Sequence, residues 1–187
     1  MGIQTWDPAT AARISRRQDY EKTAESLEFL RAHTHVHLHT DLIAGLPGED
    51  RASFGRGFDR LVKLAPHEIQ VGILKRLRGT PIARHDAEWG MVYSERAPYE
   101  VLQTRVLPFE QVQELKRFAR AWELVSNSGR YAHLSRALLG TQPSAFEAFS
   151  AWTAWLHRKI RDFTAVNPSR LSALLVEWLE GQGVREA

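Results

Sequence analysis

The chain has 187 residues, a hydrophobic content of 43% and a formal net charge of +3, which allows one large or two small globular domains. It contains no cysteine, and this excludes disulfides, a catalytic thiol, zinc–thiolate sites and any iron–sulfur cluster ligated by this chain alone. No apolar run could span a bilayer and no secretory signal is recognisable, so we expect a cytoplasmic protein with no membrane partner. No nucleic-acid-binding motif is present.

The first predicted element is an amphipathic helix that begins after Asp19. Aspartate is a favoured N-cap residue. The apolar positions recur at helical spacing, which indicates one buried face. These positions are Tyr20, Ala24, Leu27 and Leu30.

A strand, a helix and a second strand are predicted next. The strand covers about 35–44, the helix opens at Glu49 and Asp50, and Pro66 stops it. The segment 68–77 has the composition of another strand. Strands joined by a full helix run parallel when they are adjacent, so this half of the chain predicts an α/β fold.

The second half is predicted to be helical. Residues 78–104 form a connection with one short helix near 81–89, which Gly90 ends. Apolar residues at helical spacing follow from 108 onward, and Asn167 caps the last helix. We therefore expect three segments: a barrel segment over 1–83, a linker over 84–106 and an all-α domain over 107–187.

Histidines occupy alternate positions at the start of the predicted strand, and Asp41 follows in the same alternation. On a strand, His35, His37, His39 and Asp41 would share one face. A polar face of this kind suits a lumen or cleft that holds a polar ligand. Two same-face histidines can also converge on a metal, so a metal site at His35, His37 and His39 is an alternative.

Ligands of parallel α/β folds gather at the carboxyl ends of the strands. Asp41, Ile43 and Gly45 lie where the first predicted strand ends, and Lys75 and Arg76 lie where the second ends. The glycine turn after the first strand is not followed by the Lys-Ser/Thr pair of a phosphate-binding loop. Its glycines are therefore weak evidence for a phosphate site.

Five short motifs occur in a fixed order along the first half of the chain. They are GIQT at 2–5, ISRRQD at 14–19, DLIAGLPGED at 41–50, LVKLAPHEIQV at 61–71 and RGTPI at 78–82. Together they resemble the later part of the radical-SAM core, a partial (β/α)6 barrel that uses S-adenosylmethionine (SAM) and a [4Fe-4S] cluster. Their spacing is similar to that of oxygen-independent coproporphyrinogen dehydrogenase. The helical tail resembles the branch that carries a cobalamin-binding domain.

The resemblance implies roles for five residues in a SAM site. Gln4 matches a position at the end of a barrel strand near the ribose, and Arg16 matches an arginine that pairs with the methionine carboxylate. Asp41 matches an acid that accepts hydrogen bonds from the ribose hydroxyls. Ile43 and the backbone near Lys75 match positions that face the adenine.

Two features depart from the family pattern. The expected glutamate arrives one residue late, at Glu49, and a helix N-cap is its expected role. The three-cysteine cluster motif is missing. The resemblance therefore implies a C-terminal portion of a radical-SAM oxidoreductase or methyltransferase that acts on a small molecule. SAM, the [4Fe-4S] cluster and a candidate cobalamin would belong to the full-length parent, and we expect this chain alone to be inactive and to hold no cofactor tightly.

Exposed strand edges of an incomplete barrel invite pairing with another chain. We expect the remainder of the parent polypeptide, a homodimer or a strand-swapped assembly to cover them. Two alternatives belong to other classes of protein. One is a non-catalytic protein-interaction domain, and the other is the small metalloprotein with the histidine site described above.

Overall fold

The computed structural model describes residues 1–160 and 166–184. The chain divides into two compact units, Met1–Lys116 and Arg117–Ala187. The predicted helical domain over 107–187 includes 161–165 and 185–187, which lie outside the described residues. Within the described ranges, no helix is long and apolar enough to cross a bilayer.

The first unit contains a parallel three-stranded sheet. Its strands are β1 (Gly2–Gln4), β2 (His39–Ala44) and β3 (Glu68–Ile73), and they lie side by side in that order. Helices separate them along the chain, which confirms the α/β prediction. These helices are α1 (Pro8–Arg13) and α2 (Tyr20–His33) between β1 and β2, and α3 (Arg51–Leu64) between β2 and β3.

Aspartate side chains cap the helices that connect the three parallel strands. Asp19 accepts a hydrogen bond from the backbone N–H of Lys22 at the start of α2, as predicted. Asp50 accepts one from the N–H of Ser53 at the start of α3. The prediction that Glu49 is the N-cap of α3 is therefore wrong by one residue, since Asp50 holds that position and Glu49 is buried.

Strand β2 is shorter than predicted, because it begins at His39 rather than near residue 35. Its partner β3 begins at Glu68, directly opposite His39. Before that point, the carbonyl of Leu38 accepts hydrogen bonds from the N–H groups of His67 and Glu68. His35 and His37 therefore lie outside the strand, and only His39 and Asp41 share a face as expected.

Alternation along the strands separates a buried face from a partly exposed one. Ile3, Thr40, Leu42 and Ile69 are all less than 5% exposed. Helix α3 buries most of its apolar stripe, namely Phe54, Phe58 and Leu61, as its periodicity predicts. Of the stripe predicted for α2, only Leu27 is buried, and Tyr20, Ala24 and Leu30 are partly exposed.

A small antiparallel sheet follows β3. A 3-10 turn (Pro81–His85) and helix α4 (Asp86–Trp89) end at Gly90, whose φ is +55°, and this confirms the short helix. Strands β4 (Val92–Tyr93) and β5 (Val101–Gln103) then pair. A single bridge joins Lys75 to Glu100, which attaches the hairpin beyond the end of β3. The sequence did not predict this hairpin.

The second unit is helical, as predicted. Helix α5 (Phe109–Trp122) crosses the division between the units and continues as a π-helical segment (Glu123–Asn127). It is followed by α6 (Ala132–Leu139), α7 (Ala145–Lys159) and α8 (Pro168–Gly181). Asn167 accepts a hydrogen bond from the N–H of Ser169 and caps α8.

Aromatic residues form the core of this unit. Phe118 lies 5.0 Å from Phe149, ring centroid to ring centroid, and Phe149 lies 5.2 Å from Trp152. Trp152 is fully buried and Trp122 is 5% exposed. Core packing, which the helical spacing of these tryptophans favoured, is confirmed at these two positions.

Candidate functional site

The partly exposed face of the parallel sheet carries two of the predicted site residues, Asp41 and Ile43. Strand register places Gly2 opposite Asp41, and Asp41 opposite Gln70. Paired residues of neighbouring strands point to the same side of a sheet. Asp41 is half-buried on this side, where a ligand can reach its carboxylate.

Gln4 and Arg16 come together over Gly2. The Arg16 Nη1 donates a hydrogen bond of 2.7 Å to the carbonyl oxygen of Gly2, and the amide of Gln18 donates a second of 3.2 Å. A Cβ placed on Gly2 would lie 3.0 Å from Gln4 Nε2 and 3.7 Å from Arg16 Nη2. The missing side chain of Gly2 leaves a small polar cradle between Gln4 and Arg16, in the strand next to Asp41.

The other two predicted residues lie towards the carboxyl ends of the strands. Ile43 is partly buried against an apolar cluster, whose buried members are Leu46, Leu74, Met91 and Val101. Lys75 is exposed, two residues beyond the end of β3, in the bridge to Glu100. The structure brings Gln4 and Arg16 together over Gly2, which lies opposite Asp41 in the strand register. It places Ile43 further along the face of Asp41 and puts Lys75 outside the sheet.

His39 on this face, and His37 just before the strand, contact acids and amides. His39 Nε2 lies 3.2 Å from Asp41 Oδ1 and 3.2 Å from Gln70 Oε1. His37 Nε2 lies 3.0 Å from Glu68 Oε1. Within residues 1–160 and 166–184, no three His, Cys, Asp or Glu side chains are grouped so that they could hold a metal ion. The alternative metal site at His35, His37 and His39 gains no support, because His35 and His37 precede the strand that would have aligned them.

Glu49 is a buried acid with a strongly shifted pKa. It is 3% exposed and accepts a 2.5 Å hydrogen bond from the hydroxyl of Thr5, just after β1. The pKa of Glu49 is raised to about 7, mainly by burial. Asp7 and Asp50 act in the same direction, and the Thr5 hydrogen bond and Arg56 oppose the shift. The sequence does not predict this contact. The only feature that pointed to it was the position of Glu49, one residue later than the family motif expects.

Two glycines shape the turn between β2 and α3. Gly45 has φ +87° and Gly48 has φ +81°, a region that side chains disfavour. A Cβ on Gly45 would lie 2.5 Å from the Val101 side chain, and one on Gly48 would lie 2.5 Å from Arg13 Nη1. Glycine is therefore required here for backbone conformation and close packing, which accounts for the motif without a phosphate.

A cleft of about 560 Å³ lies beyond the carboxyl end of β3. Arg76, Arg78, Tyr93 and Tyr99 are among the residues that line it. The sequence shows the basic residues at 75–78 but does not predict a cavity, because Tyr93 and Tyr99 come from a hairpin in the segment that the sequence predicts as a connection. The arginines and tyrosines concentrated over 76–99 were the sequence feature that could have indicated this cleft.

These features define an α/β protein with a polar face on a parallel sheet and a helical unit. Residues 87–186, or 100 of the 187 residues, match the family model described as "Protein of unknown function (DUF4080)". The chain belongs to this family.

Parts of this chain are similar to parts of proteins with named activities. The chain is 32% identical over 71 residues to the oxygen-independent coproporphyrinogen III oxidase of Cereibacter sphaeroides, covering 38% of this chain and 16% of that protein. It is 29% identical over 96 residues to a probable threonylcarbamoyladenosine tRNA methylthiotransferase of Pyrococcus abyssi, covering 51% and 23%. It is 26% identical over 119 residues to the oxygen-independent coproporphyrinogen-III oxidase-like protein HemZ of Bacillus subtilis, covering 64% and 21%.

The chain thus spans about a fifth of the length of these relatives. Together with the family match, they show that it is related to the radical-SAM superfamily, at low identity and over part of each chain. The resemblance inferred from the five motifs is confirmed at this level. Radical-SAM relatives imply SAM and an iron–sulfur cluster for the parent family.

Proposed function

We propose that this chain supplies one side of the SAM site in a radical-SAM enzyme. Its three parallel strands would be part of the (β/α) barrel, and its sheet face would contact the ribose and the methionine carboxylate. The observation that supports this proposal is the grouping of Gln4 and Arg16 over Gly2, next to Asp41. We expect the guanidinium of Arg16, the amide of Gln4 and the carboxylate of Asp41 to serve one ligand there.

The chemistry of each group fits its proposed partner. Arg16 is exposed and keeps donors beyond the one bonded to Gly2, and a guanidinium fork binds a carboxylate in two-point geometry. Asp41 is a half-buried carboxylate that can accept hydrogen bonds from hydroxyl groups. Gln4 offers an amide beside Arg16, within reach of the same ligand.

The iron–sulfur cluster does not fit this chain, because it has no cysteine thiolate to ligate iron. Radical-SAM chemistry needs that cluster to reduce SAM, which would supply an adenosyl radical. We therefore propose that the cluster ligands come from polypeptide outside these 187 residues and that the chain alone does not turn over. Oxidation or methyl transfer on a small molecule, with cobalamin as a further cofactor, is the reaction class proposed for the parent.

SAM binding by the purified chain tests the proposed site. We expect weak binding of SAM, because half of the contacts are missing. Arg16→Gln should weaken SAM binding by about tenfold or more, as a charged hydrogen bond to carboxylate is lost. It should leave 5′-methylthioadenosine unchanged, because this nucleoside lacks the carboxylate. Titration calorimetry and saturation-transfer NMR measure both ligands.

The matched control is Arg17→Gln, which removes a neighbouring exposed arginine. Asp41→Asn should weaken SAM and 5′-methylthioadenosine equally, since both carry the ribose. Thermal unfolding of each variant separates lost contacts from lost structure. The proposal is wrong if Arg16→Gln and Arg17→Gln have the same effect, or if neither ligand binds the folded chain.

A further inference from the structure

The cleft beyond β3 is separate from the sheet face and is built by the segment 76–99. Its volume of about 560 Å³ lies in the range of small-molecule sites, roughly 300–1,000 Å³. Its position at the carboxyl end of a parallel strand is where ligands of α/β folds collect. We infer that this cleft binds a small organic acid with a flat apolar body, such as an aryl carboxylate.

Two arginines in the cleft have different surroundings. Arg76 is held in place, because its Nη2 lies 2.9 Å from Asp86 Oδ2 and its guanidinium lies 5.7 Å from the ring centroid of Tyr93. Arg78 makes no ion pair or hydrogen bond through its side chain to any other described residue and is exposed. An unpaired guanidinium on a concave surface is suited to a carboxylate, which it binds through two parallel hydrogen bonds.

Aromatic and aliphatic surface adjoins this charge. Tyr99 and Val92 are each 45% exposed and line the cleft, while Met91 is 8% exposed at its wall. Exposed rings beside a cation favour a ligand with both a flat apolar body and an anionic group. Glu95 also lines the cleft, and its carboxylate disfavours ligands with several negative charges.

The backbone of Tyr99 has an energetically unfavourable conformation. Its φ is +60°, a region that bulky residues rarely adopt. Two hydrogen bonds of 2.9 Å stabilise it: its N–H donates to the carbonyl of Arg96, and its carbonyl accepts from the N–H of Arg76. Such outliers occur at ligand clamps, and here the conformation presents an exposed ring to the cleft while tying it to Arg76.

Tyr93 adds a hydroxyl that keeps its proton. Burial raises the pKa of Tyr93 to about 12, and the nearby carboxylate of Asp86 acts in the same direction. The phenol therefore stays neutral over the physiological range, so that its repulsion of an anion is small.

A matched pair of probes tests the inference without SAM. Indole-3-acetate carries the acid and the flat body, and indole-3-acetamide has the same shape without the charge. We expect the acid to bind about tenfold more tightly or better, from one charge-assisted pair. Arg78→Gln should abolish that preference and Arg17→Gln should retain it. Titration calorimetry on the full chain gives both affinities.

The aromatic contact has its own variant. Tyr99→Asn removes the ring but tolerates the left-handed backbone, so it should weaken the acid and the amide by the same factor. Thermal unfolding confirms that each variant is folded. The inference fails if neither probe binds the wild-type chain, if the acid and the amide bind equally, or if Arg17→Gln abolishes the preference as Arg78→Gln does.

Discussion

At the scale of single residues, Glu49 has the clearest consequence for stability. It is buried, and only one of its carboxylate oxygens has a hydrogen-bond partner among the described residues, the hydroxyl of Thr5. Its pKa of about 7 lies above the ordinary glutamate value of 4.5. Between these values, the folded protein keeps a proton that the unfolded chain has released, so stability falls as the pH rises.

We predict that Glu49→Gln removes this pH dependence. The stability of the wild-type chain should fall between about pH 4.5 and pH 7, by about 3 kcal/mol relative to the variant, and then stay level above pH 7. Glutamine cannot titrate, and it can still accept the Thr5 hydrogen bond. Urea unfolding at several pH values measures the difference.

The control for this prediction is Glu25→Gln, which removes an exposed carboxylate on α2. Its stability should follow the wild-type curve across the same pH range. A Glu49→Gln profile parallel to that of the wild type would show that Glu49 is ionised at pH 5 in the folded protein.

At the scale of elements, the aspartate caps decide where the helices begin. Asp50 Oδ1 accepts a 2.7 Å hydrogen bond from the N–H of Ser53, which satisfies one of the donors left free at a helix start. Helix α3 connects β2 and β3, so the start of α3 also sets the length of the turn that contains Gly45 and Gly48.

Asp50→Ala should destabilise the chain by about 1 kcal/mol, because it leaves that N–H without its side-chain acceptor. Asp50→Asn keeps an acceptor oxygen and should recover most of the loss. The midpoint of denaturant unfolding distinguishes the three proteins. Equal midpoints for Asp50→Ala and Asp50→Asn would mean that charge, rather than capping, accounts for the effect.

At the scale of the whole molecule, the open edges of the parallel sheet are the surfaces that can pair with another chain. β1 and β3 are its outer strands, and the six residues of β3 are long enough to template another strand. The sequence led us to propose that a second chain, or the rest of the parent polypeptide, covers such an edge.

We predict that the isolated chain self-associates as its concentration rises over roughly a hundredfold range. Gln70→Lys places a charge on the exposed side of β3 and should shift the chain towards monomer, as charges on edge strands do in natural sheets. Light scattering after size-exclusion chromatography measures the mass. A wild-type chain that stays monomeric throughout, or a variant that associates equally well, would remove the proposal.

Features that depend on neighbours within one or two turns could be predicted from the sequence. The caps at Asp19 and Asn167 and the apolar stripes of α3 and α7 follow from periodicity and from short-range hydrogen bonds. The helix between the two predicted strands implied that they run parallel if they are adjacent. The order of the five motifs indicated the superfamily, which the relatives confirm. It could not test the individual site residues, because a motif match does not give distances.

Features that join distant segments are seen only in the three-dimensional structure. β2 begins at His39 because β3 begins opposite it, and Glu49 is buried because Thr5, 44 residues earlier, contacts it. The cleft exists because the hairpin returns to Lys75 through Glu100. Pairing and burial of this kind depend on where the chain folds back, and local pattern does not encode the partner.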